Sequence, residues 1–261
     1  MTPFHTLHRE GLLILPNAWD GGSAALMRAL GARAVATTSA GVAWALGWPD
    51  GDALPVERVV QAARDEVRGA GGLPVSIDME GGYADDPAEV AALAGRLVEA
   101  GAQGINIEDG GGPAEALAAK IAAVKAAVGG ALFVNARCDV WLRGLAPDAP
   151  VAEAARRGAL YAAAGADGLF TPGLTDERDI AAMAAATALP LNLLAWPGLP
   201  DAATLKGLGV RRLSAGSGIC GAVWGRAAAL TEAFLADGRS EPLGEGAMGW
   251  AEVNALMPAV E

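Results

Sequence analysis

Histidine and cysteine are scarce in this chain of 261 residues, which holds two of each, and each scarcity removes a class of chemistry. Cys138 and Cys220 cannot build a disulfide framework, and no paired Cys/His spacing points to zinc. A reducing, cytoplasmic setting fits. His5 and His8 both precede the first predicted strand, so a mechanism that needs an imidazole at an active-site mouth is disfavoured. Basic residues are also in the minority. The 19 Lys and Arg against 30 Asp and Glu leave a formal net charge of −11, and the bases are scattered along the chain. That balance repels nucleic acid and anionic lipid, so neither is an expected partner. An anionic substrate would also be repelled at long range, and its site must supply local positive charge from a metal or an arginine. The N-terminal stretch MTPFHTLHREGLLILPNAWD has only a brief apolar run, so neither a signal peptide nor a spanning helix is expected there.

What is abundant is apolar surface, 52% of residues, dispersed in short runs. They fall at 12–17, 34–39, 74–79, 104–109, 132–137, 168–173, 191–196 and 211–216, each beginning apolar and ending in polar or small residues. Alanine-rich helical stretches such as 86–101 and 113–130 lie between them, bounded by Pro or Asp and by Gly. Eight buried strands alternating with helices predict a (β/α)8 TIM barrel, with an open doubly wound sheet as the alternative. The phrases GARA (31–34), GAQG (101–104) and GADG (165–168) read as helix C-caps, not as cofactor loops. No Pro- or Ser-rich linker divides the chain, so residues 1–261 form one domain with a helical C-terminal extension from about 220. That extension consists of a helix from about Cys220 to Asp237, a Gly-rich break and a short helical pattern from Gly249, and it is long enough to cover a neighbouring subunit.

Barrel active sites lie at the C-terminal ends of the strands, and here those ends carry Asn17, Asp20, Thr38, Ser39, Asp78, Glu80, Glu108, Asp109, Arg137, Asp139, Thr171, Asn192, Trp196 and Ser214. Asp78, Glu80 and Glu108 come from the third and fourth runs and would repel one another unless a cation lay among them. An all-oxygen set suits Mg2+, and Mn2+ also fits. The competing reading makes these acids helix caps or ion-pair partners. Arg137 can grip a substrate carboxylate with its fork, and its competing reading is a salt bridge to Asp139 or Glu108. Cys138 alternates to the opposite face and is read as packing. Trp44, Trp48, Trp141 and Trp196 fall near the predicted mouth, although each taken singly suits core packing. The SAGSG turn at 214–218 is a weak phosphate-loop signal.

The segments TTSAGVAWALGWPD (37–50), VSIDMEGGYA (75–84), INIEDGG (105–111), VNARCDVW (134–141), LFTPGL (169–174) and RRLSAGSG (211–218) occur in order along nearly the whole chain. Together they resemble the isocitrate lyase and phosphoenolpyruvate mutase superfamily. The resemblance implies a barrel whose last helix is swapped between subunits of a homo-oligomer, a dimer or tetramer. It also implies cleavage or rearrangement of a C–C or P–C bond beside the carbonyl of a 2-oxo acid. On these motifs Asp78, Glu80 and Glu108 look like the magnesium shell, and Asp50 looks like an additional acidic site residue. Arg137 resembles the substrate arginine, and Thr38, Ser39 and Ala40 resemble the cradle for the substrate carboxylate. Asn192, with Asp78 and Arg137, is a further substrate-facing candidate. Two family features are missing. The Lys-Lys/Arg-Cys-Gly-His segment that many lyases carry after the fourth strand is replaced by GGGPAEALAAK, and FTPGL lacks the glutamate they place after the sixth. Both departures argue against isocitrate and methylisocitrate cleavage.

The expectation is a Mg-dependent lyase or decarboxylase acting on a small 2-oxo or 2-hydroxy dicarboxylic acid, with an oxaloacetate-like substrate ahead of a malate-like one. Loss of carbon dioxide needs enolate stabilisation but no added proton, which suits a site without the lyase acid. Cleavage of a 2-hydroxy acid needs a base as well, for which Asp50 or a metal-bound water is the candidate. The alternatives are P–C chemistry at phosphonopyruvate, a metal aldolase on a similar barrel, and a 2-oxo acid binding protein without turnover.

Overall fold

Pro16 has no N–H to donate, and in the computed structural model, which describes residues 1–257 and 259, it divides the first strand in two. The halves are β1 (Leu13–Leu15) and β2 (Asn17–Ala18). There follow β3 (Val35–Thr37), β4 (Val75–Asp78), β5 (Gly104–Glu108), β6 (Phe133–Arg137), β7 (Gly168–Phe170), β8 (Leu191–Leu194) and β9 (Arg212–Ser214). Every pairing is parallel, in the order β1-β9-β8-β7-β6-β5-β4-β3-β2. The two halves of the first strand therefore stand at opposite ends of the order, β1 against β9 and β2 against β3, and the sheet closes on itself. With the first strand counted once, this is the expected (β/α)8 barrel, and each predicted apolar run contains an observed strand.

The helices in chain order are α1 (Pro3–Leu7), α2 (Gly21–Ala29), α3 (Ser39–Ala45), α4 (Val56–Ala70), α5 (Pro87–Glu99), α6 (Ala114–Val128), α7 (Pro150–Ala163), α8 (Glu177–Ala186) and α9 (Ala202–Gly207), then α10 (Gly218–Asp237), α11 (Glu241–Gly244) and α12 (Trp250–Leu256). Asp side chains cap several of them. Asp20 accepts from Ser23 N–H at 2.6 Å, and Asp86, Asp176 and Asp201 do the same for α5, α8 and α9. Gly101 and Gly165 follow α5 and α7 with φ of 98° and 103°, the left-handed conformation predicted for the GA-x-G phrases.

Two apolar layers hold the barrel. Outside the strands, Ile77, Ile105, Ile107, Val134 and Leu193 pack against helix residues such as Leu97, Leu117 and Ile121. Inside, Phe4 from α1 plugs the N-terminal end among Leu13, Leu15, Ala34, Ala36 and Phe133. Its ring meets Phe133 edge-on at 5.6 Å, and His8 stacks on Phe133 at 4.0 Å. A side chain at Gly104 would put its Cβ 2.6 Å from the Phe4 ring, so the plug requires glycine there. Above the plug lies a polar layer. Asn135 donates to Asn106 and Asn192, each at 2.9 Å, and the fully buried Arg212 reaches Asn106 at 3.3 Å and Ser214 at 3.2 Å.

The C-terminal extension leaves this architecture. α10 is exposed along nearly its whole length, with Cys220 its one buried residue. It is long and apolar enough to cross a bilayer by length and composition alone. Beside its start, Ile14 on β1 is 60% exposed, and a groove of about 930 Å3 opens between α2, the β1–β9 seam and α12.

Candidate active site

Asp78 is the last residue of β4, and its N–H donates to Thr37 Oγ1 at 2.7 Å. Its Oδ2 accepts from the Ser39 N–H at 3.5 Å, while Oδ1 is buried without any partner. Burial raises its pKa, with Asp50 adding to the rise and Arg137 opposing it. Glu80 follows two residues later with its backbone left-handed at φ 49°. Its carboxylate accepts from Tyr83 Oη at 2.6 Å and from the Asp52 N–H, and burial raises it too. Asp52 and Tyr83 are themselves left-handed, at φ 54° and 58°, and Asp52 accepts from the Tyr83 N–H at 3.1 Å. Three left-handed non-glycine residues, at a cost of about 1–3 kcal/mol each, are thus bonded to one another across the α3–α4 and β4–α5 connections, which fixes the two loops together.

Glu108 and Arg137 end β5 and β6 in direct register and form an ion pair. Burial pushes the Glu108 carboxyl up to about 8, with Asp78, Asp139 and Glu80 adding to the rise and Arg137 opposing it. Arg137 is forked onto the fully buried Asp139, Nε at 2.7 Å and Nη2 at 3.1 Å. Burial alone would lower Arg137, but Glu108 and Asp139 outweigh it and hold the guanidinium charged. Asp139 is fixed in turn, its N–H donating to Asp109 Oδ1 at 3.0 Å. Asp109 Oδ2 accepts from Tyr161 at 2.6 Å and Arg157 at 2.9 Å. Both ion-pair partners foreseen for Arg137 are therefore engaged, and the guanidinium stands in one orientation.

Thr38 caps α3, its hydroxyl accepting from the Gly41 N–H at 3.5 Å, and Ser39 and Ala40 form the first turn. Asp50 lies exposed beyond that helix, close enough that its charge raises both Asp78 and Glu80. Asn192, the further substrate-facing candidate, lies within β8. It is buried below the mouth, donating to Leu193 O and Ser214 Oγ and accepting from Asn135, so it braces strands. The 214–218 turn is engaged internally as well, its Gly216 N–H donating to Asn17 at 2.8 Å. Burial pushes the Cys138 thiol up to about 12, in keeping with a packing residue.

Among the described residues, no three acidic, histidine or cysteine side chains converge into a ready cage for a metal ion. Glu80 turns to Asp52 and Tyr83, and Glu108 turns to Arg137. What remains is the partnerless Asp78 Oδ1 among carboxyls that burial holds above their ordinary values. That arrangement fits Mg2+, which typically takes one or two carboxylates and keeps several waters.

Residue type alone did not identify Tyr83, Asp52 or the Arg157–Tyr161 pair as support for the site, whereas Asp109 stood among the strand-end residues without an assigned role. Glu66 was missed too. It is fully buried on α4 with neither carboxyl oxygen partnered, beside a small cavity bordered by Thr37, Ser39, Asp78 and Tyr83. Its position three residues after Ala63 and four before Ala70, on the buried face, was the available signal.

A profile of the phosphoenolpyruvate phosphomutase family matches residues 4–235. An uncharacterized protein of Mycobacterium tuberculosis is 41% identical over 224 residues, 82% of this chain and 81% of that one. Among solved structures, a Burkholderia cenocepacia protein designated a lyase/mutase is 35% identical with a TM-score of 0.86, covering 97% of this chain and 93% of its own. A second from that organism, designated a phosphonomutase, is 38% identical with a TM-score of 0.82, covering 88% and 97%.

Proposed function

The chain belongs to the phosphoenolpyruvate phosphomutase family, within a superfamily of lyases and mutases that act on small acids, and from that premise we propose that it is a magnesium-dependent carbon–carbon lyase or decarboxylase. The substrate class is a small 2-oxo or 2-hydroxy dicarboxylic acid, oxaloacetate-like first. The observation that carries this reading is the buried, partnerless Asp78 Oδ1 at the end of β4, on a carboxyl whose charge interacts with Arg137 and Glu108. Asp78, Glu80 and Glu108 would hold Mg2+, and Mn2+ fits the same donors. Magnesium bound there supplies polarisation of the carbonyl beside the scissile bond and stabilises the charge that develops on its oxygen.

The remaining work falls to the chain itself. Arg137, immobilised by Asp139, would orient the substrate carboxylate with the part of its fork that faces Glu108. In the turn from Thr38 to Ala40 the Thr38 N–H donates to Ala18 O at 3.0 Å and the Ser39 N–H to Asp78, which leaves the Ser39 hydroxyl and the Ala40 N–H to meet the same carboxylate. The tryptophans Trp44, Trp48 and Trp196, each at least 38% exposed, are available to exclude water when substrate enters. Loss of carbon dioxide requires no proton at the moment of cleavage. That matches a segment after Glu108 with neither cysteine nor histidine. Asp50 is the base for a hydroxy-acid substrate. The relative designated a phosphonomutase favours a second reading, P–C bond chemistry at phosphonopyruvate.

The exposed α10 and the apolar groove of about 930 Å3 support exchange of α10 between subunits. A barrel needs a helix over the seam of its first and last strands, and here Ile14 is left bare. A homodimer or homotetramer in the cytoplasm follows from this reading, and light scattering on the purified protein tests it. A monomer overturns it. For activity, the protein is incubated with Mg2+ or EDTA and with oxaloacetate, malate derivatives, isocitrates and phosphonopyruvate, and products are followed by mass spectrometry. Metal-dependent pyruvate or glyoxylate from a dicarboxylic acid, lost in Glu108→Ala, is the expected result. Turnover of phosphonopyruvate alone selects the second reading. Binding of 2-oxo acids without product identifies a binding protein.

A further inference from the structure

The N-terminal end of the barrel, opposite the mouth, contains a second cleft of about 460 Å3 bordered by Met1, His5, His8, Arg9, Asp167 and Arg211, with the segment joining α8 to β8 as its far wall. In a chain of net charge −11, its basic groups are notably free. Arg9 touches Met1 Sδ at 3.0 Å and Arg211 reaches the Gly11 carbonyl at 3.5 Å. Among the described residues neither guanidinium has a carboxylate partner. The one carboxylate of the cleft, Asp167, is already engaged. Lys125 Nζ and the Val134 N–H both donate to it at 2.8 Å, and His5 Nε2 lies 3.7 Å away.

The two imidazoles are differently poised. His5 Nδ1 accepts from the Thr2 N–H at 3.1 Å, which places the ring hydrogen on Nε2, toward Asp167. His8 Nδ1 stands 2.8 Å from the Phe4 carbonyl, which can only accept, so Nδ1 carries the hydrogen. Burial lowers His8 to about 3, with Arg212 adding to the effect, so the ring is neutral at physiological pH. Its Nε2 is then a bare acceptor, buried and without a partner in the protein. A buried acceptor left unmatched is costly, and a ligand that donates to it recovers that cost.

We propose that this cleft is a binding site for a small oxyanion that also carries a hydroxyl: the anionic oxygens meet Arg9 and Arg211, and the hydroxyl donates to His8 Nε2. Hydrogen phosphate and a 2-hydroxy carboxylate share that chemistry. Sulfate and a plain carboxylate lack the donor. The site is independent of the reading of the mouth, because it requires neither Asp78 nor a metal.

The test uses the full chain in EDTA, with histidine labelled at 13Cε1 so that His5 and His8 give the two observable signals. Inorganic phosphate and sulfate form one matched pair of probes, and lactate and propionate the other. Phosphate or lactate should move the His8 signal, and calorimetry should show sulfate and propionate binding about tenfold more weakly or worse. Which of the two hydroxyl-bearing probes binds tighter identifies the source of the ligand. Arg9→Ala with Arg211→Ala should weaken binding by about tenfold or more, as loss of charge-assisted bonds does. Arg9→Ala alone, at an exposed position, should weaken it in the same direction if the double variant fails to fold. Glu108→Gln should leave binding unchanged. Equal affinity for the members of a pair, a stationary His8 signal, or binding indifferent to Arg9→Ala overturns the proposal.

Discussion

At the mouth of the barrel Asp78, Glu108 and Asp139 act on a single guanidinium, Arg137, with Glu80 nearby, whereas the cleft at the other end holds Arg9 and Arg211, which have no carboxylate partner among the described residues, and one carboxylate, Asp167, that Lys125 and the Val134 N–H already engage. The two ends of one interior thus carry opposite surpluses. Burial holds Glu108 up to about 8 at the mouth and brings Arg212 down to about 9 below it. Between the two ends lies the polar layer of Asn106, Asn135 and Asn192, which also holds Arg212, bonded to Asn106 and within reach of the Asp78 charge. The mouth is held by strained backbone and ion pairs, the floor by aromatic packing. A strained, charge-rich end is suited to binding a cation and an acid, and a packed end supplies the rigidity it depends on.

That contrast can be broken most severely from below. Phe4→Ala removes the plug, and about 3–5 kcal/mol of stability should go with it, measured by urea denaturation. If the floor only supports the barrel, the folded fraction keeps the wild-type kcat and Mg2+ requirement; a parallel fall in kcat would show that the ends are coupled. Arg137→Lys, at the mouth, keeps the charge but loses the fork that Asp139 and Glu108 hold, and kcat/KM should fall about 100-fold or more while unfolding changes little. An unchanged kcat/KM would separate Arg137 from substrate binding.

Gly104→Ala should cost about 1–3 kcal/mol by crowding the Phe4 ring, and less when made in Phe4→Ala protein, where the ring is gone. Equal costs in both backgrounds would mean that the clash lies elsewhere. The smallest effect concerns Glu66, whose burial holds its carboxyl well above the ordinary 4.5, with Asp20 and Asp65 adding to the rise. The folded state keeps this proton after the unfolded chain has released it, so stability from this group is full below about pH 4.5 and declines as pH rises beyond it. Glu66→Gln mimics the protonated form. Its stability relative to wild type should therefore grow between pH 5 and pH 8 in denaturant titrations, and a constant difference would contradict a neutral buried Glu66.

Much of this was legible from the chain because strand runs, caps and strand ends are local features. Pro16 within the first run and glycines 101 and 165 after their helices act through their own backbone. Asp78, Glu80, Glu108 and Arg137 could be picked out because barrel strands deliver their last residues to a common mouth. Depth was not legible at Asn192, which is polar and near a strand end but is buried and bonded to Asn135, because run boundaries do not disclose it. The reading passed over Tyr83 and Asp52 for a different reason. Their role rests on left-handed backbone that no residue type announces outside glycine.

By itself the sequence determined the barrel, its order of strands and helices, and the identity of the acids and the arginine at its mouth, because hydrophobic period and chain direction decide those things. Only the tertiary structure decided which acid stands free. Glu80 is taken by Tyr83, three residues away across a strained turn, Glu108 by Arg137 from the next strand, and Asp78 Oδ1 is left without a partner. Only folding brings His8, Arg9 and Arg211 to one cleft across some 200 residues of chain, since the first strand must close on the last before the two termini meet.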